Sequence, residues 1–321
     1  MRESSVPTLH CLLTSLGNYG LTRERIAGSG RCKLRQVHSN PNVFEIDNFL
    51  TDTELEHIGR IVAAKFARSG GFQSSKVNTE DDAILGVENE FRTSTTMWLN
   101  KQQDTITRNI EARAAGLLGY ASTHSEPLQI VHYTEGQFFD THHDVGTLME
   151  DGSVEALPPL RVATFFVYLN TLPEGCGCTT FPALNGGKGF ACQPVRGKAL
   201  LFCNLNEDCS PDVATVHKAM PVEGGIHKFG MNIWISGYSM QHTAMLPGKE
   251  STVVPEKKKH VAEEVMKFFA PDAVQKENKE NSTPPGAKSK RGGKRAAQGA
   301  AEEGVPALGG KKKAKGSSKR G

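Results

Sequence analysis

The sequence predicts a mainly β domain, an antiparallel barrel or sandwich with two supporting helices, followed by a basic tail. Three observations carry this. Short β-rich runs separated by turns fill the chain from residue 128 onward, two helical stripes with start signals precede them, and composition and charge change abruptly near residue 248.

In chain order, residues 1–40 lack periodicity and read as a flexible N-terminal arm, so the domain is expected to span 41–248 and to start near Val43 with the strand and turn VFEIDNFL. Thr51 and Glu54 then form a capping box ahead of Leu55, Ile58, Val62 and Phe66 at helical spacing. A second helix is expected from Asp104, with Ile106, Ile110, Ala114 and Leu117 on one stripe. The strands follow: LQIVHY, RVATFFVYL, KALLFC, VATVHKAM and FGMNIWISGY. Residues 146–159 lie between the HHD segment at 142–144 and RVATFFVYL, and are read as a lid over the substrate or a solvated connection. Trp98 and Trp234 read as core or pocket-wall residues, since no basic interleaving suits them to stack nucleic acid.

Residues 249–321 hold 18 Lys+Arg and 9 Asp+Glu, a balance of +9, against −6 for the rest of the 321-residue chain. The Lys-rich tail has no aromatic after Phe269 and cannot bury enough apolar surface to offset chain entropy, so it is expected to be mostly disordered, with 275–321 read as disordered. A short helix is expected at 260–270, where Val261, Val265, Phe268 and Phe269 form a stripe that docks on the domain or, as the alternative, binds a partner. No run approaches the roughly 18 apolar residues of a membrane span. Seven unevenly spaced cysteines fit neither a disulfide scaffold nor a four-ligand zinc site.

The chemistry-bearing residues are His142 and Asp144, an H-x-D pair that projects to one side if the segment is extended, with His143 pointing away. His217 stands 75 residues downstream in another β-rich run. Two histidines and a carboxylate suit an Fe(II) centre with three open positions, or a zinc hydrolase with one. Lys228, 11 residues past His217, could neutralise the far carboxylate of a keto acid cosubstrate. Alternation along the strand separates Lys228 from His227, and only one of them can face such a site.

These residues resemble the prolyl 4-hydroxylase type of Fe(II)/2-oxoglutarate dioxygenase over approximately 43–238. The matches are IDNFLTDTELEHI, FRTSTTMWL, YTEGQFF followed by HHD, RVATFFVYLN, CGCTTFP, RGKALLF, His217 followed by Pro221-Val222, and Lys228 six residues before Trp234. The resemblance implies a double-stranded β-helix, the jelly roll. It implies Fe(II) on His142, Asp144 and His217, and 2-oxoglutarate held by Lys228, Tyr133 and Thr179. O2 is the second cosubstrate, and L-ascorbate rescues oxidised iron. Arg161 and Trp234 are placed on the substrate side. Cys178 stands where the family usually has an acidic residue, and Ile233 and Ser236 replace residues expected to be basic or His toward the peptide site.

The implied activity is 4-hydroxylation of prolyl residues in a peptide or protein with release of succinate and CO2, as in procollagen-proline 4-dioxygenases. The alternatives are the same chemistry on another side chain or a small molecule, or a non-enzymatic binder using the basic tail on nucleic acid or an acidic partner. The resemblance implies the endoplasmic reticulum. The lack of a visible signal peptide and the cluster KSKRGGKR imply instead the cytoplasm or nucleus, if the N-terminus is complete.

Overall fold

The computed structural model describes residues 23–27, 30–75, 91–241 and 250–271. In chain order the elements are β1 (Arg23–Ala27), β2 (Gly30–Ser39), β3 (Asn42–Asp47), α1 (Asp52–Ser69), β4 (Gln73–Ser74), β5 (Thr95–Trp98), α2 (Thr105–Leu117), β6 (Gln129–Tyr133) and β7 (Phe139–His142). They continue with β8 (Gly146–Leu148), β9 (Val154–Ala156), β10 (Arg161–Tyr168), β11 (Thr179–Phe181), β12 (Phe190–Cys192), β13 (Ala199–Cys203), β14 (His217–Ala219), β15 (Lys228–Ser236) and α3 (Lys259–Lys267). Among the described residues the major sheet runs β1-β2-β3-β13-β10-β15-β6-β5-β4 and the minor sheet β12-β11-β14-β7, with all named strand pairs antiparallel. This is the expected jelly-roll architecture with helices on one side.

The period of two along each central strand divides the core. On β10, Phe165 and Val167 join the helices, while Phe166 and Tyr168 join the core beneath the minor sheet. On β15, Phe229, Met231, Ile233 and Ile235 pack with the helices, which leaves Lys228, Gly230, Asn232 and Trp234 on the inner face. Glycine is required at 230, because a Cβ there would stand 2.4 Å from Phe166 Cζ. The capping box of Thr51 and Glu54 forms as expected, and Glu54 also pairs with Arg113 of α2 at 2.6 Å, so one carboxylate starts a helix and ties two helices together. Asp104 caps α2.

Three expectations are corrected. The loose arm does not extend over 30–39: β2 pairs with β3 across the two-residue turn Asn40-Pro41, buries Cys32 and Leu34, and in turn carries β1. The domain does not end at 248. Val265 and Phe269 are buried on α1, Arg196 Nε donates to the Phe269 carbonyl at 2.9 Å, and Glu250 bridges Lys65 and Arg68 at 3.4 and 3.0 Å. The 260–270 stripe thus docks, whereas 275–321 lie outside the described residues. Finally, 213–215 form a 3-10 turn capped by Asp212 rather than the start of a strand, and β14 begins at His217. The six described cysteines are all free, and no described helix is long and apolar enough to cross a membrane.

Candidate active site

Two paired strands bring the predicted metal ligands together. His142 ends β7, Asp144 follows two residues later, and His217 opens β14 directly opposite His142 in the minor sheet. Asp144 Oδ1 lies 3.7 Å from His142 Nε2 and 3.9 Å from His217 Nε2, and one ligand atom from each of the three falls within 4.8 Å of the others. Each imidazole is oriented by a short local bond, His142 Nδ1 to the Asp140 carbonyl at 2.7 Å and His217 Nδ1 to the Thr215 carbonyl at 2.9 Å. A carbonyl only accepts, so Nδ1 carries the proton and Nε2 presents its lone pair to the cluster. Burial, reinforced by the neighbouring His217, holds His142 well below the usual histidine range. Burial would raise the Asp144 carboxyl, but His217, His142, Arg161 and Thr164 together hold it below the usual range, so it stays a carboxylate. Two imidazoles and one carboxylate are the donor set that suits a facial Fe(II) site.

His143 turns the other way, as alternation requires. Its Nε2 meets Thr215 Oγ1 at 3.0 Å and the Asp212 carbonyl at 3.1 Å, and its Nδ1 accepts from the Val145 amide at 3.1 Å.

The cluster opens on a cavity of about 520 Å³. Tyr133, Phe166 and Thr179 line it, and Lys228 lies behind them, with Nζ 5.1 Å from the Tyr133 ring centre and 5.2 Å from that of Phe166. Lys228 is fully buried, yet its Nζ has no hydrogen-bond partner among the described residues. Burial pushes its pKa down to about 8, with the thiols of Cys178, Cys192 and Cys176 opposing the shift. Cys178 Sγ reaches Gln193 Oε1 at 3.4 Å, so the position expected to be acidic supplies no carboxylate to this lysine. A buried ammonium without a protein partner is costly unless an anion meets it. The cluster and this lysine therefore fit Fe(II) and a dicarboxylic keto acid together. His227 faces the opposite side of the sheet, bonded to His132 at 2.9 Å and stacked on Phe268.

Thr179 accepts from the Tyr168 hydroxyl at 2.9 Å, a partner missed in the sequence, where Tyr168 reads only as part of a strand. Arg161 and Trp234 do line the cavity, but both are already engaged. Arg161 is forked onto Glu126 at 2.8 and 3.0 Å and lies 3.6 Å over the Trp234 ring, whose Nε1 donates to Asp144 Oδ2 at 3.2 Å. Ile233 and Ser236 are fully buried and do not line the cavity, which corrects their expected place toward the peptide. The physical reason for Ile233 is the alternation that gives its neighbours Asn232 and Trp234 the inner face. Phe139, also missed, stacks on His142 with ring centres 3.5 Å apart, and Arg92 lies over Phe139. Residues 146–159 form the hairpin β8-β9, from which Thr147, Leu148 and Leu157 border the cavity.

Residues 128–236 match the model of the 2OG-Fe(II) oxygenase superfamily. The chain is 30% identical to probable prolyl 4-hydroxylase 7 of Arabidopsis thaliana over 69% of its own length and 68% of that protein's. It is 31% identical to probable prolyl 4-hydroxylase 6 of the same plant over 63% and 72%. A viral collagen prolyl hydroxylase from Paramecium Bursaria Chlorella virus-1, solved as a 2OG complex, aligns with a TM-score of 0.46 at 22% identity, covering 63% of this chain and 99% of that one. From the matched span, which contains the whole metal cluster and Lys228, and from identity sustained over two thirds of its relatives, the chain belongs to the prolyl 4-hydroxylase family of 2OG-Fe(II) oxygenases.

Proposed function

We infer that this chain is an Fe(II)- and 2-oxoglutarate-dependent dioxygenase that hydroxylates prolyl residues at the 4-position in a peptide or protein, releasing succinate and CO2. The observation that carries this reading is the pairing, at one cavity, of a two-histidine, one-carboxylate cluster with a buried lysine that has no counter-charge among the described residues. A zinc hydrolase would need the first feature and not the second. The family relatives named prolyl 4-hydroxylases support proline as the target.

When bound, Fe(II) with the keto acid and O2 supplies the oxidising power for C–H hydroxylation. The protein's share is placement and charge. His142 and His217 offer Nε2 and Asp144 offers Oδ1, while Lys228 neutralises the far carboxylate of 2-oxoglutarate and Tyr133 and Thr179 orient it. Burial raises the Tyr133 phenol, so it remains a neutral donor at physiological pH. Phe139 and Phe166 keep water from the inner cavity, and the β8-β9 hairpin covers the peptide side. L-Ascorbate is the reductant that restores iron after turnovers without substrate.

The test is succinate release with purified protein, Fe(II) and 2-oxoglutarate, with and without a proline-rich peptide, read together with mass spectrometry of the peptide. Peptide-stimulated succinate with one oxygen added on proline is expected. Succinate release that no proline peptide stimulates would move the activity to another substrate.

A further inference from the structure

The two oxygens of Asp144 have different surroundings. Oδ1 faces the two imidazoles, whereas Oδ2 accepts from Thr164 Oγ1 at 2.6 Å and from Trp234 Nε1 at 3.2 Å. Both donors are themselves held. Asn204, fully buried, donates one amide hydrogen to Thr164 Oγ1 at 3.0 Å and the other to the Arg161 carbonyl at 3.1 Å. A carboxylate only accepts, so the Thr164 hydroxyl donates to Asp144 while its oxygen accepts from Asn204. The Trp234 indole is covered by the Arg161 guanidinium, which Glu126 fixes by two bonds and which also reaches the Asp144 carbonyl at 3.4 Å.

Carboxylates bind hard cations through one oxygen or through both. A chelating Asp144 would leave a six-coordinate ion with two positions beyond the two histidines. A chelating keto acid would fill both, and none would remain for O2. Turning Oδ2 toward the ion would break its bonds to Thr164 and Trp234 together. We propose that Thr164 and Trp234 are positioning residues that confine Asp144 to ligation through Oδ1 and so preserve the coordination position that O2 needs, with Asn204 and the Arg161–Glu126 pair holding the two donors in place. This rests on the dioxygenase reading above, and it gives Arg161 and Trp234 a part in holding the metal carboxylate.

The test uses the full chain loaded anaerobically with Fe(II) and 2-oxoglutarate and titrated with nitric oxide, a stable stand-in for O2 whose iron adduct is counted by electron paramagnetic resonance. Thr164→Val removes one donor at nearly constant volume, Trp234→Phe removes the other, and Thr164→Ser retains the hydroxyl. Each deletion is expected to weaken nitric oxide binding about tenfold, the usual scale for losing a group that orients a ligand. Thr164→Ser should stay near the parent, and the 2-oxoglutarate affinity of all three should change little. Nitric oxide binding as tight in both Thr164→Val and Trp234→Phe as in the parent would overturn the assignment. Should Thr164→Val not fold, Trp234→Phe alone decides it. A parent protein that binds Fe(II) and 2-oxoglutarate but no nitric oxide would remove the dioxygenase reading and this inference with it.

Discussion

Lys228 offers the sharpest quantitative test, because its two predicted effects have opposite signs. With no hydrogen-bond partner for Nζ among the described residues, burial lowers its pKa from the ordinary 10.5 to about 8, which corresponds to roughly 3 kcal/mol spent to keep the charge in the free protein. Replacing it with an apolar side chain of similar length should therefore stabilise the cosubstrate-free protein, and Lys228→Met is expected to gain about 1–3 kcal/mol in a denaturant titration. The same change strands a carboxylate of 2-oxoglutarate without its counter-charge. Truncating one partner of a buried charge pair costs about 2–5 kcal/mol, so Lys228→Met and Lys228→Ala should raise the KM for 2-oxoglutarate at least roughly thirtyfold. His227→Ala should leave that KM within about threefold, since His227 is bonded to His132 on the far face. Steady-state succinate formation measures the KM values and urea unfolding measures stability. The reasoning fails if Lys228→Met keeps its affinity for 2-oxoglutarate, or if it destabilises the protein in the absence of cosubstrate.

Three further outcomes follow from the same geometry. Asp144→Ala or His217→Ala should abolish turnover and stoichiometric Fe(II) binding, whereas His143→Ala should keep one Fe(II) per chain and lose about 1–3 kcal/mol of stability, because three local hydrogen bonds go with it. The charged form of Lys228 predominates below about pH 8 and binds the carboxylate, so the KM for 2-oxoglutarate should climb as pH rises through about 8, while the lysine's contribution to cosubstrate-free stability becomes more favourable between about 8 and 10.5, where the unfolded chain holds the extra proton. Phe269→Ala should cost about 3–5 kcal/mol by calorimetry, since the ring fills the space over Gly59, whereas a chain ended at Val274 should melt as the full chain does.

How much of this was legible in the sequence depends on how local each signal is. The H-x-D period of two and the β-rich run around His217 make these residues candidates only, and it is the family resemblance, carried by many collinear matches, that joins them into one ligand set. Strand parity shows only that one of Lys228 and His227 can face the site, and the six-residue step from Lys228 to Trp234, which keeps the family register, selects Lys228. The β2 strand is not legible in the sequence, because its apolar alternation is short: among its residues with described burial, Cys32 and Leu34 are the buried apolar ones. The boundary at 248 was misplaced for a related reason. Charge composition averages over a segment, whereas docking depends on a few side chains such as Val265 and Phe269.

The roles of Thr164, Trp234, Glu126 and Arg161 could not have been read this way, because they depend on strand order rather than strand pattern. Thr164 faces Trp234 across the β10–β15 pairing, and both reach a carboxylate held by the minor sheet. Nothing in residues 20 or 90 positions from Asp144 signals that contact before the sheets are assembled. Parity nevertheless constrains it. Thr164, Phe166 and Tyr168 on β10, and Lys228, Asn232 and Trp234 on β15, share the inner face, so a one-residue slip of either strand would exchange the whole polar set for core residues such as Phe165 and Ile233. The apolar pattern that fixes the register of the core therefore also fixes which oxygen of Asp144 is left for the metal, so packing and coordination are set by the same alternation.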